Sequence, residues 1–216
     1  MTDAAAWAVL CDFDGTVVPC ETVELLYRRF AAPSCMELVE QWIRGEIGTQ
    51  EELQGCFATM TASRGEMEAI LDSVSIDPGF PALLELCRRQ GHAFALVSEG
   101  LTWIINHILG RHGIHDVTTY ANHIHFEPEG FRLSFPWHDA RYPKRGVPKP
   151  VIVRCYQRQG WRVAYIGDGL TDLEVVGVAD VVYARDRLLD YSRQHDLEVV
   201  GFSDFSELLE KKPFAR

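Results

Sequence analysis

The sequence predicts an α/β fold built on a mostly parallel sheet, with a helical segment inserted after the first strand and a β-hairpin further along. Three observations carry this. Short apolar runs end in acidic residues or glycine, amphipathic segments of helix length alternate with them, and residues 22–75 contain no convincing strand. Strands alternating with helices in this way imply βαβ units.

The run "WAVLC" (7–11) is apolar without alternation and is followed by Asp and Gly, as expected of a strand covered on both faces. Residues 22–75 follow, with capping-box patterns at Ser34/Glu37, Thr49/Glu52 and Ser63/Glu66, and are predicted helical. "FPALLELCRRQG" (80–91) and "PVIVRCYQRQG" (150–160) finish in cationic residues and a glycine, and "LTWIINHILGRHG" (101–113) stops at Gly113; all three suit helix ends. "HAFALVSEG" (92–100), "WRVAYIGDG" (161–169) and "ADVVYAR" (179–185) repeat the first strand's pattern, and "LEVVGF" (197–202) is a fifth candidate. "NHIHFEPEGFRLSFPW" (122–137) alternates about Pro128 to Gly130 like a hairpin that extends the sheet or flanks it. "DARYPKRGVPKP" (139–150) reads as a loop.

Composition narrows the function. A chain of 216 residues, 47% hydrophobic, can bury one sizeable core. Its formal net charge of −10 speaks against a nucleic-acid partner and for a small ligand. The six cysteines show no CxxC pair or short spacing, so neither a zinc site nor a disulfide framework is expected, and a reducing cytoplasm fits. No apolar run is long enough to span a membrane.

In an open parallel sheet ligands bind beyond the carboxyl ends of the strands. Here those ends are acidic: Asp12 and Asp14, then Ser98 and Glu99, then Asp168 with Asp172. Positions i and i+2 of an extended chain project to one side, so Asp12 and Asp14 can converge. Crowded carboxylates resist joint ionisation unless a cation lies among them, and an oxygen-only ligand set suits Mg²⁺. A lone Asp-Gly is most often a turn, and Glu174 fits an ordinary acidic helix start, but three acidic strand ends in one sheet are harder to dismiss.

"DFDGT" (12–16), "VSEG" (97–100), "PKP" (148–150) and "GDGLTD" (167–172) resemble, in order and spacing, the four motifs of the haloacid dehalogenase-like superfamily. The resemblance spans most of the chain. It implies a Rossmann-like core of residues 1–17 and 78–216 and a helical cap of residues 18–77. It further implies Asp12 as nucleophile toward phosphorus, Asp14 as acid and base, and a Ser98 hydroxyl and a Lys149 ammonium on the phosphoryl group. Mg²⁺ would be held by Asp12, Asp168 and the Asp14 backbone carbonyl, with Asp172 orienting Lys149 or the metal's water ligands. Glu99 departs from the Gly or Asp of many relatives; it and Gly100 are placed beside the substrate. Lys144 is read as a solvated surface residue.

The cap should choose the substrate, a small phosphate ester. Within the superfamily the chain resembles phosphoserine phosphatases and the phosphatases of 2-hydroxy-3-keto-5-methylthiopentenyl 1-phosphate in methionine salvage. Glu21 stands where the former receive a substrate ammonium. Against them, "ELQGCFATM" (52–60) lacks their carboxylate-binding Arg, with Cys56 in its place. "ANHIHF" (121–126), "FPWHD" (135–139) and "YARDRLLDYSRQHDL" (183–197) resemble the methionine-salvage group, although the Cys-rich loop of some members is absent. The expectation is a cytoplasmic, Mg²⁺-dependent phosphomonoesterase of that group, monomer or homodimer, with phosphoserine phosphatase as the alternative. A catalytically silent regulatory module is the reading from a different class, opposed by Asp12 and Asp14 together; the second aspartate also speaks against dehalogenation. His123 and His125 receive no role, and Trp42, Phe57 and Met60 are read as cap core.

Overall fold

A computed structural model describes residues 6–214. Its strands are β1 (Trp7–Cys11), β2 (Ala93–Leu101), β3 (Thr118–Glu127), β4 (Gly130–Ser134), β5 (Arg162–Gly167), β6 (Val181–Ala184) and β7 (Val200–Gly201). They form one sheet in the order β4-β3-β2-β1-β5-β6-β7. Every pairing is parallel except that of β3 with β4, so the predicted hairpin extends the sheet. The weakest candidate, "LEVVGF", supplies only the two residues of β7 at the edge.

All five residues of β1 are buried because helices cover both faces of the sheet. Val9 and Cys11 join the core shared with α1 (Thr22–Phe30), α5 (Phe80–Gln90) and α6 (Thr102–Arg111). Ala8 and Leu10 face the opposite core, shared with α7 (Lys149–Arg158) and α8 (Asp186–Gln194). Each fully buried Leu or Val contributes about 1.5–3 kcal/mol, which is why this strand shows no polar alternation. α5 stops where Gly91 turns left-handed at φ 72°, a conformation that a glycine takes without penalty.

Residues 22–75 fold as α1, α2 (Cys35–Ile43), α3 (Thr49–Phe57) and α4 (Arg64–Leu71). Of the three capping boxes expected, only Ser63 with Glu66 forms. Ser34 makes no side-chain cap bond, and Gly48 rather than Thr49 caps α3. The Thr49 hydroxyl instead accepts the Trp42 indole N–H at 3.1 Å, and Glu52 turns inward, so tertiary contacts outcompete the local motif. The insertion leaves and rejoins the sheet side by side, with the Asp77 N–H donating to the Val17 carbonyl at 2.8 Å. The last described helix is α9 (Phe205–Glu210), which packs on α5.

The cysteine reading needs correction. Cys35 of α2 and Cys56 of α3 are paired as a disulfide, with Cα atoms 4.9 Å apart across a sequence separation of 21. Packing of α2 on α3 brings these residues together, a proximity that no short spacing announces. Cysteine spacing therefore no longer argues for a reducing compartment. No described helix is long and apolar enough to cross a membrane.

Candidate active site

Register brings the acidic strand ends together. Cys11 is level with Leu96 of β2 on one side and with Ile166 of β5 on the other. Asp12 therefore emerges between the ends that carry Ser98 and Asp168, where the direction of strand succession reverses. The turn after β1 is tight. Val17 and Val18 both donate to the Phe13 carbonyl, and Gly15, at φ 72°, lies so close to Asp168 that a Cβ would collide with its carboxylate. The Thr16 hydroxyl donates to Asp168 Oδ1 at 2.6 Å.

Lys149, the first residue of α7, is 2% exposed. Its ammonium donates to Asp12 Oδ2 and to Asp172 Oδ1, each at 2.6 Å. Burial alone would lower its pKa, but the two carboxylates more than offset this and hold it above the usual lysine range. Asp172 is fully buried and bonded on both oxygens. Besides Lys149 it accepts the Tyr165 hydroxyl at 2.6 Å and the N–H groups of Gly169 and Asp168 at 3.0 and 3.2 Å. It thus holds Lys149 and the turn after β5 in one arrangement.

Oxygens of Asp12, Asp168 and Asp172 lie within 4.8 Å of one another. Burial, with help from neighbouring carboxylates, raises the pKa of Asp12 well above its ordinary value and that of Asp168 to about 6. Burial also raises that of Asp14, with the Thr22 contact working the other way. Such a cluster carries more negative charge than Lys149 offsets, and all its donors are oxygens. Both properties fit a hard divalent cation at Asp12 and Asp168.

Above these strand ends lies a cavity of ≈ 230 Å³, roofed by α1, α2 and α3. Asp12, Asp14, Ser98, Gly100, Lys149 and Asp168 border it, so the residues singled out in the sequence meet at one place. The Gly100 N–H donates to the Ser98 hydroxyl at 2.9 Å, and a side chain at Gly100 would crowd Asp14 Oδ2. Asp14 Oδ1 accepts the Thr22 N–H at 2.8 Å, which fixes its carboxyl at the start of α1. Glu21 stands at the solvent side of the same cavity; enclosure by protein, and then Asp14 and Asp168, raise its pKa to about 8.

Glu99 has a task that the sequence did not suggest. Its Oε2 accepts the N–H groups of Gly146 and Val147 at 2.9 and 3.3 Å, pinning the loop that leads into Lys149. Its Oε1 is buried and has no hydrogen-bond partner among the described residues. Lys144 is exposed, as read, but its ammonium bonds the Gly45 and Glu46 carbonyls and so ties this loop to the α2–α3 turn. His123 and His125 stay out of the site; His125 Nε2 lies 3.0 Å from the Ser134 hydroxyl across the hairpin.

The roof departs from expectation. Cys56 is fully buried in the disulfide, and it is Thr49, Glu52 and Leu53 that α3 turns toward the cavity. Trp42 also borders the cavity, whereas Phe57 and Met60 are core as read. Tyr27 of α1 and Arg187 of α8 are lining residues that sequence reasoning missed; Tyr27 sits one helical turn and a half beyond Glu21, a periodicity easily taken for core.

The haloacid dehalogenase-like hydrolase profile matches residues 9–176. A 2-hydroxy-3-keto-5-methylthiopentenyl-1-phosphate phosphatase of Exiguobacterium sibiricum is 30% identical over 207 residues, covering 94% of both chains. The protein of the same name from Brevibacillus brevis is 28% identical over 205 residues, covering 93% of this chain and 92% of its own. A HAD family hydrolase from Salmonella enterica superposes with a TM-score of 0.73 at 18% identity, over 97% of this chain and 72% of that one. A phosphoserine phosphatase structure containing a phospho-aspartyl intermediate analogue gives a TM-score of 0.71 at 16% identity, over 96% and 99% of the two chains. At such identities the superpositions speak for the fold alone. With the profile covering most of its length, the chain belongs to the haloacid dehalogenase-like hydrolase family.

Proposed function

We propose that the chain is a phosphatase of small phosphate esters, acting on 2-hydroxy-3-keto-5-methylthiopentenyl 1-phosphate in methionine salvage. The observation that carries this is the buried set of Asp12, Asp14, Ser98, Lys149 and Asp168 around one cavity, in a chain with the relatives named above.

In this reading an Asp12 carboxylate oxygen bonds to phosphorus as the bond to the leaving oxygen breaks, and Asp14 gives that oxygen its proton. A water molecule then attacks phosphorus, Asp14 takes its proton, and the Asp12 carboxylate departs as inorganic phosphate forms. Ser98 and the N–H groups following it hold phosphoryl oxygens, with the Lys149 ammonium as a fixed charge beside them. Mg²⁺ at Asp12, Asp168 and the Asp14 carbonyl would supply the positive charge that lets an anionic nucleophile meet an anionic ester. Residues 1–17 and 78–216 form the catalytic core and 18–77 the cap, a division supported by the contact of Val17 with Asp77. A cytoplasmic location and a monomer or homodimer belong to the same reading.

Phosphoserine is the competing substrate, favoured by Glu21 at the cavity. The deciding experiment measures phosphate release from both esters and from p-nitrophenyl phosphate, with Mg²⁺ and with EDTA. Activity indifferent to EDTA and to Asp12→Asn would end the phosphatase reading; a preference for phosphoserine would end the substrate assignment.

A further inference from the structure

The cavity's roof carries an unusual combination of groups. Tyr27 is 3% exposed, and its hydroxyl borders the cavity without a hydrogen-bond partner among the described residues. Glu52, 6% exposed, lies beside it from α3, and Glu99 presents an unpartnered oxygen from β2. Buried polar groups left without partners are costly, so a site that leaves several of them around one cavity is built to be completed by what enters it.

The charges say what that ligand is. Lys149 is engaged by Asp12 and Asp172, and Arg145 by Glu174 at 2.7 Å. Arg187 remains, and it is exposed at the cavity's edge. A second anionic group on the substrate would thus meet Glu52 and Glu99 with no buried cation set aside for it. A hydroxyl or carbonyl group would find both donors and acceptors. Val39, Trp42 and Leu53 supply an apolar wall beyond.

We propose that Tyr27 and Glu52 hydrogen-bond the uncharged, oxygenated portion of the substrate, and that Glu52 together with Glu99 rejects phosphate esters bearing a carboxylate. This rests on the phosphatase reading above and adds the residues that select the ester. The phosphoryl group is held below by Ser98 and Lys149, while the rest of the molecule is read from above. Selection of this kind is steep, because a wrong substrate leaves the buried groups unpaired or sets like charges together.

The test compares the full-length protein with Tyr27→Phe and Glu52→Gln, with Mg²⁺, on three substrates: the methylthiopentenyl ester, L-phosphoserine and p-nitrophenyl phosphate. Tyr27→Phe is expected to raise KM for the methylthiopentenyl ester about tenfold while kcat stays within about twofold. Glu52→Gln keeps the hydrogen-bonding shape but loses the charge, so it should raise kcat/KM for phosphoserine about tenfold relative to the methylthiopentenyl ester. Hydrolysis of the aryl phosphate, which carries neither group, should match wild type in both variants and so excludes a merely structural defect. Unchanged ratios among the three substrates in both variants, or equal losses on all three, would overturn the proposal and leave the phosphatase reading standing. Wild-type protein that hydrolyses none of them would overturn both.

Discussion

The Lys149 ammonium donates to Asp12 Oδ2 at 2.6 Å inside a site that leaves the lysine 2% exposed. An ion pair so enclosed is costly to break from one side, because the partner charge stays behind without water. Lys149→Met leaves Asp12 and Asp172 facing each other unneutralised. The variant is expected to lose about 3–5 kcal/mol of stability in urea unfolding at neutral pH, and adding Asp172→Asn should restore a good part of it.

Asp12→Asn separates chemistry from folding. Removing the nucleophile should cut p-nitrophenyl phosphate turnover by about three orders of magnitude or more. It also removes one of the crowded charges, so the metal-free protein should melt no lower than wild type by calorimetry.

Metal addition should be visible without any substrate. If Mg²⁺ neutralises Asp12 and Asp168, concentrations near a hundred times its Kd stabilise the fold by about 2.7 kcal/mol, read as a rise in Tm. Asp168→Asn is expected to abolish most of that rise, and Gly15→Ala to do the same, since a Cβ at this left-handed position collides with the Asp168 carboxylate.

The roof imposes a pH dependence. Burial, then Glu99 and Glu24, raise Glu52 from 4.5 to about 7, with Tyr27 opposing. The folded state therefore binds more protons than the unfolded state between those values, and stability falls as pH rises through that window. The loss at pH 8 is on the order of 3 kcal/mol, so Glu52→Gln should stabilise the protein there and change little at pH 4.

How much of this was legible in the sequence follows from the range of the interactions involved. β1, α5 and α7 are set by local periodicity and by what ends them, and they fall close to where the sequence placed them. Asp12, Asp14, Ser98, Lys149 and Asp168 were legible because each sits at an element boundary whose direction is fixed by the parallel sheet. The Cys35–Cys56 pair, the inward turn of Glu52 and the grip of Glu99 on Gly146 depend on how distant elements pack. Local patterns misdirected there: Thr49 and Glu52 look like a capping box, yet one serves Trp42 and the other the cavity.

Tyr27 does not stand alone in the roof. Its ring meets Phe57 edge-on at 5.7 Å, Phe57 meets Phe131 of the hairpin at 5.5 Å, and Phe131 meets Phe126 at 5.9 Å. This aromatic relay runs from the helices above the strand ends to the outermost edge of the sheet. Swinging those helices outward to admit a substrate must shear one of its joints, so the hairpin acts as a spring whose stiffness sets how fast the door opens.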